Sequence, residues 1–194
     1  MRIIGGQFRG KKLVAAPEQI TRPTLDRAKE SLFNILESWL LKSGKHWSEQ
    51  VWTDVFAGSG AIGIEALSRG AKHVIFFENH PIARRFLMMN LKNLANVSFQ
   101  LQTDALLPMP RQQAVDVLFM DPPYHQGLIE RTCVAFYQAG WIGKETIVIM
   151  ESDAKETICL PPFLTILRTV RYGRNQFLFA QLKTETGYES NASI

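Results

Sequence analysis

Residues 117–127 read VLFMDPPYHQG, an apolar run that ends in Asp121-Pro122-Pro123-Tyr124. A polar turn would close a strand without two prolines and an aromatic. This tetrapeptide instead offers a carboxylate, a carbonyl on a stiff backbone, and a ring. The set suits the exocyclic amine of a nucleobase. That nitrogen's lone pair is delocalised into the ring, so it is a poor nucleophile until its two hydrogens find acceptors. Asp121 and the carbonyl of Pro122 can accept them, and Tyr124 can stack on the base. Pro122 and Pro123 hold these groups ready before the base arrives.

Upstream, Gly58, Gly60 and Gly63 form G-x-G-x-x-G between an expected strand and an expected helix. Glycines there let the chain turn sharply and bring its backbone close to a ligand at an open helix N-terminus. Glu78 ends the next strand about 20 residues on, where a carboxylate can accept both hydroxyls of a ribose. NAD and S-adenosyl-L-methionine satisfy these features equally. Asp54 separates them: it stands inside the first strand, where an NAD fingerprint keeps an apolar run, and an acid there can face an amino-acid ammonium. Asp104, in QTDA after the third strand, can meet an adenine amino group, with a turn role as the plainer alternative. Ser59, Asn79 and Ala105 adjoin these positions and complete the expected cofactor contacts. The expected cofactor is therefore S-adenosyl-L-methionine, with Asp121–Tyr124 beside its sulfonium methyl at the carboxyl edge of the fourth strand. Glu65, in the helix after the glycines, is open to a cofactor contact or to a capping or surface role. No cluster has metal-ligand spacing, so no metal is expected.

These residues need a frame. VWTDVF, HVIFFE, VSFQLQ, AVDVLFM and TIVIME read as strands. AIGIEALSR, PIARRFLMMNLKNL and a stretch near 127–138 read as helices, which is the βαβ rhythm of a doubly wound sheet. FLTILRTVRYGRNQFLFAQL adds a hairpin turning at YGRN. Thr24 can cap a helix whose apolar positions Leu25, Ala28, Leu32, Leu36 and Trp39 follow the 3.6-residue period, and residues 2–16 read as a small basic hairpin. The expected fold is α/β and Rossmann-like: a seven-stranded, mostly parallel sheet with helices on both faces. Residues 1–24 form an appendage, 25–183 the catalytic domain and 184–194 a polar tail.

The chain has 194 residues, 46% hydrophobic and 21% charged, in line with a single globular domain. Its net charge of +4 is concentrated. Residues 1–30 carry seven Lys/Arg against three acids, and the remainder carries fifteen of each. A basic segment on a neutral body suits a polyanion. The chain lacks an apolar run of membrane-spanning length and a signal-peptide core at its N-terminus, so a cytoplasmic location is expected. Cys133 and Cys159 read as reduced thiols, His125 as a solvated turn residue, and Arg84 and Arg85 as solvated helix positions. Phe76, Phe77, Phe86, Met88 and Met89 read as packing residues.

The Asp-Pro-Pro-Tyr pattern with its glycine loop resembles class I methyltransferases that modify exocyclic amines. A narrower likeness runs along most of the chain. RIIGGQFRG, TRPTLDRAKESLFNIL, DVFAGSGAIGIEALSRGA and MDPPY resemble the RsmD family of bacterial 16S rRNA guanine-N2 methyltransferases. The resemblance implies methyl transfer to N2 of one guanine, nucleotide 966 of 16S rRNA, in an assembled small subunit or an assembly intermediate. It also implies that the N-terminal hairpin and the R-P-T loop help hold RNA, which falls here on Arg2, Arg9, Lys11, Lys12, Arg22, Thr24 and Arg27. Lys29 departs from the family pattern, where arginine is expected. Two other readings stay open on the residues alone: an N6-adenine DNA methyltransferase, disfavoured because no separate target-recognition domain is evident, and a non-catalytic RNA-binding assembly factor. A monomer is expected.

Overall fold

A computed structural model describes residues 1–15 and 23–183, with the side chains of 23–25 left aside. Arg22, the side chain of Thr24 and the tail 184–194 lie outside the described residues. The order is α1 (Pro23–Lys42), a 3₁₀ turn (Trp47–Glu49), β1 (Val51–Val55), α2 (Ala61–Ser68), β2 (His73–Phe77), α3 (Pro81–Lys92), β3 (Phe99–Gln102), β4 (Val117–Met120), α4 (Leu128–Gln138), β5 (Ile147–Asp153), β6 (Leu164–Tyr172) and β7 (Asn175–Leu182).

One seven-stranded sheet runs β3-β2-β1-β4-β5-β7-β6. The first five strands are parallel, and β7 inserts antiparallel between β5 and β6. Strand order reverses between β1 and β4, so their carboxyl ends open a crevice, the usual ligand position in such sheets. The register sets Val55 against Met120, and Met120 against Met150, so Asp121 emerges beside the ends of β1 and β5.

Because side chains alternate across a strand, the central strands feed two cores. On one face Trp52, Phe76, Phe119 and Phe177 pack with Leu32, Phe33 and Leu36 of α1, Ile64 of α2 and Leu87 of α3. On the other, Val55, Phe77, Met120 and Met150 pack with Ile129, Cys133 and Phe136 of α4. The apolar stripe read on α1 is buried at Ala28, Leu32 and Leu36, and Phe33, off that stripe, is fully buried against the Trp52 ring at 5.6 Å. Met89, read as packing, is 47% exposed.

The N-terminal segment turns back on itself, but its ladder is one antiparallel bridge, Arg2 to Lys12, rather than two strands. It is held by docking. Ile3 and Leu13 are buried in the first core, and Gln7 N and Phe8 N donate to Ser68 O and Oγ at 2.7 and 3.0 Å. Gly6 has φ +74, and a Cβ there would lie 1.8 Å from Ser68 O, so this contact requires glycine. Among the described residues no helix is long and apolar enough to cross a membrane.

Candidate active site

The β1–α2 turn is built so that backbone, not side chain, faces the crevice. Gly58 and Gly60 have φ of 57° and 85°, and Gly60 begins α2 in the left-handed conformation. Gly63 serves packing: a Cβ there would come within 2.2 Å of the Phe76 ring, so the glycine lets α2 lie close on β2. Phe56 also has left-handed backbone, φ 64°, just before the turn. His125, φ 61°, is its counterpart after Tyr124, so two such non-glycine residues flank the crevice.

Two carboxylates hold this turn, and a third docks the N-terminal segment on α2. Asp54 is buried, and its Oδ2 accepts from Gly63 N at 2.7 Å. Its Oδ1 has no hydrogen-bond partner among the described residues. Burial pushes the Asp54 carboxyl up to about 7, against the Gly63 hydrogen bond and with a further push from Glu78. Glu78 accepts from Gly58 N and His80 N, both at 2.7 Å, so it ties the end of β2 to the glycine turn. Glu65 is fully buried on α2 and takes neither role expected of it. It accepts from Ile4 N at 2.9 Å and pairs with Lys29 at 3.3 Å and Arg69 at 3.1 Å. Lys29 in turn donates to Arg2 O at 2.6 Å. Burial lowers the Lys29 ammonium and the Glu65 charge opposes that shift.

Asn90 makes the second tie between the N-terminal segment and the glycine turn. Its amide donates to Val14 O and Ser59 O at 2.8 and 2.9 Å and accepts from Val14 N at 2.9 Å. Ser59 is thereby buried and held through its carbonyl. Asn79 is exposed at the crevice rim. Asp104 is exposed, its Oδ1 accepting from Leu106 N at 2.8 Å in an Asx turn that leaves its other oxygen without a partner among the described residues, and Ala105 beside it is buried. Arg84, expected in solvent, donates to Glu78 O and Gln102 O and joins the ends of β2 and β3.

Asp121 begins on the opposite wall. Its N–H donates to Val55 O at 3.3 Å, Pro122 is buried, Pro123 is exposed and Tyr124 is half-buried. The Asp121 carboxylate and the Pro122 carbonyl have no hydrogen-bond partner among the described residues. Asp121 is open to water in the crevice although protein surrounds it on most sides. The enclosing walls first, then the Glu151 and Asp54 carboxylates, push its carboxyl upward. Because water reaches the group, that push gains full strength only when a ligand displaces the solvent. Two acceptors without donors among the described residues thus stand beside two further acids.

Glu151 is the residue that sequence reading passed over. It lies near the end of β5, one register position beyond Met150 and so beside Asp121, is buried, and accepts from Asn175 of β7 at 2.6 Å. Burial raises the Glu151 carboxyl, and burial and the neighbouring acids raise the Tyr124 hydroxyl, so the phenol stays protonated. The available signal was an acid closing TIVIME at the carboxyl edge of the sheet. His125 is exposed as expected, with its N–H donating to Glu156 at 2.9 Å.

The basic segment is thinner than its sequence suggests. Lys29 is buried, Arg2 pairs with Asp26 at 3.3 Å, and Lys11 donates to Asn93 O. Arg9, Lys12 and Arg27 are exposed and in no ion pair among the described residues.

The chain is similar to known proteins along most of its length. The family model described as conserved hypothetical protein 95 matches residues 1–181. The chain is 36% identical to ribosomal RNA small subunit methyltransferase D of Haemophilus influenzae, over 87% of this chain and 86% of that one. It is 33% identical to the Escherichia coli protein of the same name, over 84% and 79%. Among solved structures, a putative methylase from Haemophilus influenzae superposes with a TM-score of 0.74 at 31% identity, covering 93% of this chain and 97% of the other. A putative methyltransferase from Escherichia coli gives 0.75 at 30% identity, covering 95% and 99%. With the family model spanning nearly the whole chain and relatives above 30% identity along most of it, this chain belongs to the RsmD family of ribosomal RNA small subunit methyltransferases.

Proposed function

We propose that this protein transfers a methyl group from S-adenosyl-L-methionine to the exocyclic N2 amine of one guanine in 16S rRNA, nucleotide 966 by the family resemblance, within a small subunit or its assembly intermediate. The observation that carries the reading is a pair of acceptors without a partner among the described residues, the Asp121 carboxylate and the Pro122 carbonyl, at the carboxyl end of β4 beside β1. An amine with two hydrogens satisfies both and leaves its lone pair directed away from them.

The cleft suits the cofactor. Asp54 Oδ1, lacking a partner on a carboxyl already raised by burial, is a seat for the amino-acid ammonium. Glu78 oxygens that already hold the glycine turn can accept ribose hydroxyls on their remaining lone pairs. Asp104 has an oxygen left for the adenine amine. Ser59, Gly58 and Gly60 supply backbone, and Asn79 and Ala105 complete the rim. When bound, the sulfonium supplies an electrophilic methyl: the guanine nitrogen forms the C–N bond as the C–S bond breaks, and S-adenosylhomocysteine leaves. Asp121 and the Pro122 carbonyl hold the amine, and Asp121 accepts the proton it loses. Tyr124 stacks on the base, and Pro123 stiffens the turn. Arg9, Lys12 and Arg27 supply phosphate contacts, with Arg2, Lys11, Arg22 and Thr24 of the same region. No step requires a metal.

The test is methyl transfer from isotopically labelled S-adenosyl-L-methionine to unmodified small subunits, naked 16S rRNA and duplex DNA in parallel, with nucleoside analysis of the products. N2-methylguanosine from rRNA or subunits supports the reading. N6-methyladenine from DNA, or label in no substrate, defeats it.

A further inference from the structure

We infer that the turn between β6 and β7, together with the end of β5, forms a second phosphate-binding surface that grips the RNA backbone on the side of the crevice opposite the N-terminal segment. The inference rests on the rRNA reading above and adds a site to it. Two cavities adjoin at the carboxyl end of β5. One, about 460 Å³, has Pro122–His125 along one wall and the segment after β5 along the other. The next, about 440 Å³, is lined by Asp153, Ala154, Lys155, Arg171, Gly173 and Arg174. Lys155 lines both, so the second cavity continues from the one at the amine-binding motif.

Its walls are built rather than incidental. Ala154 N donates to Arg174 O at 2.6 Å, which fastens the β6–β7 turn to the end of β5. Lys155 N donates to Asp153 Oδ1 at 2.8 Å, and Gln176 Nε2 to Asp153 O at 3.3 Å, so the segment holds its shape. Three cations, Lys155, Arg171 and Arg174, face this cavity against the single carboxylate of Asp153. All three are exposed, and none enters an ion pair or side-chain hydrogen bond among the described residues. Three cations facing one carboxylate in a concave wall leave an excess of positive charge, and a phosphodiester offsets it. Arginine's planar fork matches two phosphate oxygens at once. Residues 31–194 carry equal numbers of acids and bases, so composition hides this surface: it arises only where the fold joins positions 155, 171 and 174.

The test is the salt dependence of binding to 16S rRNA transcribed in vitro. Each phosphate neutralised contributes about 0.7 to 0.9 to the slope of log affinity against log salt. R171A/R174A should therefore flatten the slope by roughly 1.5 between about 50 mM and 200 mM salt. S-adenosyl-L-methionine affinity and the thermal midpoint should stay at wild-type values. R171K/R174K, which keeps the charge, should retain the slope. K42A/K144A, which removes equal charge from exposed positions at the amino edge of the sheet, should retain it too. An unchanged slope in R171A/R174A overturns the inference, as does an equal loss in K42A/K144A. A wild-type protein that binds the transcript with the expected slope differences but methylates neither rRNA nor subunits defeats the proposed function and leaves this surface standing. One that binds no RNA defeats both.

Discussion

The two walls of the crevice use the same chemical group in opposite ways. On the β1–β2 side, carboxylates are spent on structure: Glu65 holds a backbone N–H and two cations, Glu78 holds two backbone N–H groups, and Asp54 holds one and keeps one oxygen without a partner. On the β4–β5 side, Glu151 is held by Asn175, but the Asp121 carboxylate has no donor among the described residues. A protein can leave a carboxylate among other carboxylates only at a cost in stability, and such sites are where ligands supply the missing donors. The gradient from Glu65 through Asp54 to Asp121 therefore runs from architecture to chemistry. Backbone N–H groups anchor the wall that must keep its shape, and the wall that must engage a changing substrate stays unpaired.

Removing the unpaired acid should have the largest effect. Asp121→Ala should reduce single-turnover methylation by roughly 10⁴-fold, the upper range for a positioned proton acceptor. Calorimetric affinity for S-adenosyl-L-methionine should stay within a few fold, because the other wall is intact. A large loss of cofactor affinity would show that the two walls are not separable in this way.

The opposite substitution tests the saturated wall. Lys29→Ala leaves Glu65 fully buried with one cation fewer, which should cost about 3 kcal/mol in urea unfolding. Replacing both partners with apolar residues, as in Lys29→Met with Glu65→Leu, should restore part of that loss. An exposed-pair value below about 1 kcal/mol would mean that the pair is solvated and not architectural.

Asp54 stands between the extremes, and pH should reveal it. A carboxyl raised to about 7 holds a proton in the native chain at pH values where the unfolded chain has released it. Its contribution to stability therefore falls as pH rises from about 4 to 7 and is flat above that. Cofactor binding runs the other way, since an ammonium favours the ionised carboxylate. Affinity for S-adenosyl-L-methionine should rise by close to tenfold per pH unit below about pH 6 and level off above about pH 7. In Asp54→Asn both slopes should vanish. A pH-independent wild-type affinity would separate Asp54 from the ammonium.

Much of this arrangement is written locally. The alternation of apolar runs with glycine and proline punctuation determines β1 to β5 and the helices between them, since side-chain period and turn chemistry act over a few residues. The glycine turn, Glu78 at its spacing and Asp121–Tyr124 after a buried run are legible for the same reason: each motif lies within one strand–loop–helix unit. Residue identity alone does not say which charges stay in solvent. Lys29, counted with the basic surface, is a buried partner of Glu65, and Arg84 ties two strand ends together. The β6–β7 turn is predictable as a turn, but its arginines meet Lys155 only because β7 inserts beside β5. Charge neutrality and hydrogen-bond satisfaction are settled between groups distant in sequence, so the tertiary structure alone decides which acids are closed and which, at Asp121, remain open.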